Sequence, residues 1–112
     1  MSTDPTSRMS EDDLLRAVVD LASLYGILVH HSRPARTARG WATAIVGHKG
    51  LPDLILVGGR GVLIRELKSA KGRTTPEQEE WLSRFRLAGQ DAAVWRPRDW
   101  PARIKEELEA IR

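Results

Sequence analysis

The chain has no cysteine among its 112 residues. That excludes a disulfide framework, a thiolate metal site and a cysteine nucleophile. It also fits a reducing compartment, so a cytoplasmic location is expected. No apolar run approaches the roughly 18 residues of a membrane-spanning helix, and no membrane partner is expected. Met1 to Ser10 are polar where a signal peptide has an apolar core, so residues 1–10 read as a disordered tail and residues 11–112 as a single domain. Internal repeats, low-complexity tracts and interdomain linkers are all missing. A chain of this length encloses one core but not two. Its 41% hydrophobic and 29% charged residues are ordinary for a globular protein.

Acidic residues are scarce in one region in particular. Between Gly26 and Arg73 stand nine Lys or Arg but only Asp53 and Glu66, a local charge of +7, while the remainder carries −4. All three His residues fall in the same window. A basic zone around an acidic pair suits a polyanion site with an internal metal.

That pair lies in the most informative stretch, Gly50 to Lys68. Leu54-Ile55-Leu56-Val57 and Val62-Leu63-Ile64-Arg65-Glu66-Leu67 flank the turn Gly58-Gly59-Arg60-Gly61, which predicts a β-hairpin. With the turn centred on Gly59-Arg60, Val57 faces Val62, Ile55 faces Ile64 and Asp53 faces Glu66. Directly opposed Cβ atoms lie about 4.5–5.5 Å apart, and like charges so opposed are destabilising. Lys68, two residues after Glu66, shares its face. Two carboxylates and an amine thus converge on one face, and a hard divalent cation, Mg²⁺ or Mn²⁺, is the simplest compensation. A strand-embedded salt bridge among the three does not explain why Val or Ile is not used there.

Ser10 predicts a helix N-cap, with Glu11, Asp12 and Asp13 in the first turn. Positions 11, 14, 15, 18 and 22 form one helical stripe, so Glu11 heads the sheet-facing side, while Asp12 and Asp13 lie off it. Gly26 ends the helix. Ile27 to His31 reads as the first strand, with Ile27, Val29 and His31 on one face and Leu28 and His30 on the other. Neighbouring His residues on a strand point opposite ways, so His30 and His31 do not form a ligand pair.

Ser32 to Lys49 is a long connection, a length usual for functional or disordered loops. Its Arg33, Arg36, Arg39 and Lys49, with Lys71 and Arg73 further on, suit phosphate contacts, and Trp41 suits either base stacking or loop packing. Ala42 to Val46 is a candidate extra strand. Thr75 as N-cap, Pro76 at the first helical position and Gln78 at the third mark a second helix. Trp81, Leu82, Phe85 and Ala88 form its expected buried stripe, which puts Gln78 on the sheet-facing side. Asp91 to Trp95 is the fourth strand, and Ala102 to Ile111 a closing helix. The order α-β-β-β-α-β-α implies an α/β (α+β) domain with a mixed four-stranded sheet.

Pro52-Asp53 followed by Glu66-Leu67-Lys68 resembles the PD-(D/E)XK nuclease signature. With Gly50-Leu51 before it, and Gly72-Arg73, Thr75, Gln78, Trp81 and Gly89 after it, the chain resembles a stand-alone VRR-NUC (virus-type replication-repair nuclease) domain of the phage kind. The resemblance spans roughly Glu11 to Trp100. It implies a restriction-endonuclease-like αβββαβ core and Mg²⁺- or Mn²⁺-dependent hydrolysis of DNA phosphodiester bonds. It also implies a homodimer similar to Holliday junction resolvases, acting on branched or duplex DNA in the cytoplasm (the host cell's if phage-encoded).

By position, the resemblance makes Asp53 and Glu66 metal ligands and Lys68 the catalytic lysine. Gln78 is the auxiliary polar residue and Glu11 the first-helix acid. The backbone carbonyl of Leu67 is a further candidate ligand. Arg65 departs from the family's apolar residue; it lies on the face opposite Glu66 and is a candidate for an interface. Two other readings stand beside this one: a DNA-binding or adaptor module with the fold but no catalysis, and a nonspecific DNA or RNA nuclease.

Overall fold

The computed structural model describes residues 8–32, 35–37, 40–42 and 45–112, the segments 35–37 and 40–42 by backbone alone. Helix α1 (Glu11–Leu24) starts at a capping box. Ser10 Oγ accepts from the Asp13 amide at 3.0 Å, and Asp13 Oδ2 accepts from the Ser10 amide at 3.1 Å. Of the expected tail, residues 1–7 lie outside the described residues, while Met9 packs against the core. Strand β1 (Leu28–His31) follows, then β2 (Ala35–Thr37), β3 (Gly40–Ala42), β4 (Leu54–Val57) and β5 (Val62–Leu67). Helix α2 (Pro76–Leu87), strand β6 (Asp91–Trp95) and helix α3 (Ala102–Ile111) complete the chain.

The main sheet has the order β1-β4-β5-β6, antiparallel except for the β5–β6 pair. This is the mixed four-stranded sheet of an α+β domain, with α2 crossing over between parallel strands. The β4–β5 register is the expected one, with Leu54 opposite Arg65, Ile55 opposite Ile64 and Val57 opposite Val62. The extra strands differ from expectation. β2 and β3 pair with each other as a separate hairpin, whereas Ile45 and Val46 belong to no strand and are exposed.

Alternation along β5 divides the core in two. Leu54, Leu56, Leu63 and Leu67 pack with Leu14, Val18 and Ala22 of α1 and with Ile104 and Leu108 of α3. Ile64 and Ala92 on the other face pack with Leu82 of α2. Helices α1 and α2 therefore sandwich the sheet. The stripe expected on α2 is narrower than its spacing suggested: Leu82 is buried, Trp81 and Phe85 are half-buried, and Ala88 is exposed. The helix covers β5 and β6 through Leu82, packed on Ile64 and Ala92.

Two glycines permit close approaches that set the hairpin in place. A Cβ on Gly58 would collide with the Ile111 carbonyl, so the turn lies directly against the end of α3. Gly50 has φ +98°, and a Cβ there would sit 2.6 Å from the Glu77 carbonyl carbon. The approach to Asp53 is thereby pressed against the first turn of α2.

Arg65 is only 1% exposed. Its guanidinium donates to the carbonyls of Ile64 (3.0 Å) and Asp91 (2.6 Å), to Asp91 Oδ1 (2.9 Å) and to Glu107 Oε1 (3.1 Å). It lies 5.1 Å from the Trp95 ring centroid, and Trp95 Nε1 also donates to Glu107. Nε has no partner among the described residues. The open interface role for Arg65 is thus replaced by an internal one: it ties β5 to β6 and α3. Removing one partner of a buried charge costs more than removing the charge itself. Glu107→Ala is expected to lower unfolding free energy by about 2–3 kcal/mol, and Arg65→Met combined with Glu107→Leu by less. Urea denaturation checks the order; coincident midpoints for wild type and Glu107→Ala would show that Arg65 does not rely on Glu107.

Candidate active site

At the end of the β4–β5 ladder the antiparallel pairing stops at Leu54 and Arg65. Asp53 takes over there with its side chain, Oδ2 accepting from the Leu67 amide at 2.9 Å. The Asp53 carbonyl in turn accepts from the Ser32 amide at 3.2 Å. The Lys68 amide points the other way, to the Trp95 carbonyl at 3.1 Å. Because N–H and C=O of one strand residue leave on the same side, the Leu67 carbonyl is directed towards Asp53.

Glu66 is 1% exposed, and its two oxygens accept from Gln78 Nε2 at 3.2 and 3.4 Å. Gln78 is aimed by the capping box of α2. Its Oε1 accepts from the Thr75 amide (2.9 Å) and its own amide donates to Thr75 Oγ1 (3.2 Å). With the oxygen end fixed, the amide nitrogen turns to Glu66. The Thr75-Pro76-x-Gln78 signature therefore serves helix start and site together.

A cleft of about 420 Å³ gathers Glu11, Asp53, Glu66, Leu67, Lys68 and Gln78. Every residue expected to hold metal or perform chemistry lines it. Glu11 and Gln78 arrive from opposite layers, α1 below the sheet and α2 above, rather than over one face; the cleft opens at the strand ends, where both layers reach it. Asp12, expected off the stripe, borders the cleft too, because the first helical turn projects beyond the sheet. Sequence reasoning left His30 and His31 undecided and missed Ser32. His31 and Ser32 line the cleft, whereas His30 is exposed. The alternation that put His31 with Ile27 and Val29, on the α1 side, was the available signal.

The basic residues are more dispersed. Arg33 and Arg39 lie outside the described residues, as do the side chains of Arg36 and Trp41. Lys49 pairs with Glu77 at 3.6 Å beyond the cleft. Lys71 and Arg73 are exposed on the connection after Lys68, which Arg96 holds by donating to the carbonyls of Ser69 (2.9 Å) and Gly72 (2.6 Å).

Burial, then the neighbouring Asp53 carboxylate and its hydrogen bond, pushes the Glu66 carboxyl up to about 8, against the opposing pull of Lys68. Burial and then Asp53 raise Glu11 as well. Ionising all of the cleft's carboxyls would outweigh the single charge of Lys68, and the cleft's donors are hard oxygens. Both facts fit a cation such as Mg²⁺ or Mn²⁺. Among the described residues no three His, Asp or Glu side chains converge as a ligand set.

A sequence model of the VRR-NUC domain matches residues 10–99 of the chain. No curated protein matches it. A solved structure titled "VRR_NUC domain protein" shares the fold, with a TM-score of 0.57 and 23% identity over 91% of this chain and 84% of that one.

The raised Glu66 has a thermodynamic signature. The native state keeps this proton more tightly than the unfolded chain, so the Glu66 contribution is fully present below the ordinary 4.5 and is lost as pH rises to about 8. In chelator, the melting temperature of wild type relative to Glu66→Gln is expected to fall across that window. A pH-independent difference would show that Glu66 ionises normally.

Proposed function

The chain belongs to the VRR-NUC domain family, and from that premise we propose that it is a Mg²⁺- or Mn²⁺-dependent endodeoxyribonuclease, with residues 11–112 working as one nuclease domain. The observation that carries this reading is the convergence of Asp53, Glu66, Lys68 and Gln78 on one cleft whose carboxyls resist ionising together without added positive charge. A fold built only for stability would place apolar residues there.

In this reading Asp53, Glu66 and the Leu67 carbonyl would hold the cation, with Glu11 on the α1 wall of the same cleft. A hard divalent ion, when bound, neutralises phosphate charge and makes water a competent nucleophile near neutral pH. The chain's own groups do the rest. Gln78 orients Glu66, and the Leu67 amide orients Asp53, so neither carboxylate must reorganise when substrate arrives. The Lys68 ammonium stabilises the charge that develops on the phosphate oxygens and orients the attacking water. Lys71 and Arg73 seat the DNA backbone, as do Arg33, Arg36 and Arg39 where they reach it. Substrate is branched or otherwise structured DNA, and the working unit is a homodimer.

Asp53→Ala and Glu66→Ala are each expected to reduce cleavage about a thousandfold or more while leaving DNA binding measurable, and Lys68→Ala about 10²–10³-fold. Single-turnover assays on linear, nicked, flapped and four-way DNA with Mg²⁺ or Mn²⁺ test both chemistry and selectivity. Wild-type rates in both carboxylate variants would end the proposal, and equal cutting of all four substrates would remove its preference for branched DNA. Cleavage that persists in chelator would remove the metal.

A further inference from the structure

A second concavity of about 780 Å³ lies on the other flank of α2, between the start of that helix and the segment around His48. Its size is within the range of small-molecule sites. Trp81 is half-buried along it. The indole is held in place: Nε1 donates to the Lys49 carbonyl at 2.9 Å, and Phe85 stands tilted against it with ring centroids 5.8 Å apart. With its one donor already used, the indole offers a visitor apolar ring surface rather than a hydrogen bond.

The charges around this ring balance. Lys49 pairs with Glu77 at 3.6 Å, and Arg84 pairs with Glu80 at 2.9 Å. A phosphate would gain little from a rim already neutralised, whereas a flat, uncharged ring with polar edges fits it. Glu77 and Glu80 can accept from exocyclic amino groups, and His48 lies on the same rim. The groove and the cleft share no lining residue, but they are neighbours: Gln78 and Trp81 stand three residues apart on one helix, about 5–6 Å between Cβ atoms.

We infer that this groove receives an unpaired nucleobase, stacked on Trp81, from the strand whose phosphate occupies the cleft. The inference rests on the nuclease reading of the cleft and supplies it with a means of preferring DNA that has unpaired bases: fully paired substrate has no free base to offer.

Titration in chelator of a flapped DNA carrying 2-aminopurine as its first unpaired base reads the contact directly, because stacking on indole quenches that fluorophore. Wild type is expected to quench it. Trp81→Phe keeps an aromatic face and loses the Lys49 tether, and is expected to bind the flapped DNA nearly as tightly as wild type. Trp81→Leu loses stacking and is expected to bind the flapped DNA about tenfold more weakly and to lower the ratio of flapped to linear cleavage in Mn²⁺. Quenching by Trp81→Leu equal to wild type, or binding of flapped DNA by Trp81→Phe as weak as by Trp81→Leu, would overturn the stacking assignment. If wild type cuts DNA but shows no Trp81-dependent quenching, the groove assignment falls and the nuclease reading stands. Trp81-dependent quenching without cleavage would leave the groove and remove the nuclease.

Discussion

A nearly inaccessible carboxylate beside a second carboxylate is the constraint on which this structure turns. Glu66 lies in the middle layer of the domain, flanked on its strand by Arg65 and Leu67, which are both buried. Asp53 stands at the adjoining strand end and raises its proton affinity. Removing a charge from water costs several kcal/mol unless it is paired. Gln78 supplies hydrogen bonds but no charge, and the Leu67 amide does the same for Asp53. The site is thus well oriented and poorly neutralised.

Its neighbour on β5 makes the contrast sharp. Arg65 and Glu66 are equally buried, at 1% exposure each, and face opposite layers. The protein surrounds Arg65 with two carboxylates, two carbonyls and an aromatic face. The same backbone that neutralises the cation so thoroughly gives the carboxyl one residue away no ion pair among the described residues, and that carboxyl keeps its proton up to about pH 8. A general shortage of counter-charges does not account for this, since Lys71 and Arg73 follow closely in the chain and remain exposed. The shortfall is local to the cleft, where the proposed cation would supply the missing charge.

Much of the arrangement was legible in the sequence because short-range rules decide it. The Gly-rich turn set the hairpin register, alternation put Asp53, Glu66 and Lys68 together, and Thr75-Pro76-x-Gln78 announced both helix start and side-chain direction. What escaped depends on how far one layer extends over another. Helical spacing said which side of α2 faces the sheet but not that its cover ends before Trp81 and Ala88. Likewise it placed Asp12 off the packed stripe, yet the first turn of α1 overhangs the strand ends, where the stripe no longer defines the interior. Arg65 looked like a surface anomaly because its partners, Asp91 and Glu107, lie 26 and 42 residues away in sequence. The β2–β3 hairpin has three-residue strands, too short for a periodic signal to emerge.

Helix α2 connects these features. Its capping box aims Gln78 into the cleft, and one turn later the same helix presents Trp81 to the neighbouring groove. Gly50 lets the chain before Asp53 press on the first turn of α2, while the Lys49 carbonyl receives the indole hydrogen bond. One short helical segment therefore sets the distance between the carboxylate that is short of counter-charge and an aromatic surface whose rim is already balanced. On the proposed reading, a DNA strand crossing both would meet complementary demands in turn, phosphate at the first and base at the second. Displacing the start of α2 would disturb the two together, because Gln78 belongs both to the cap and to the cleft.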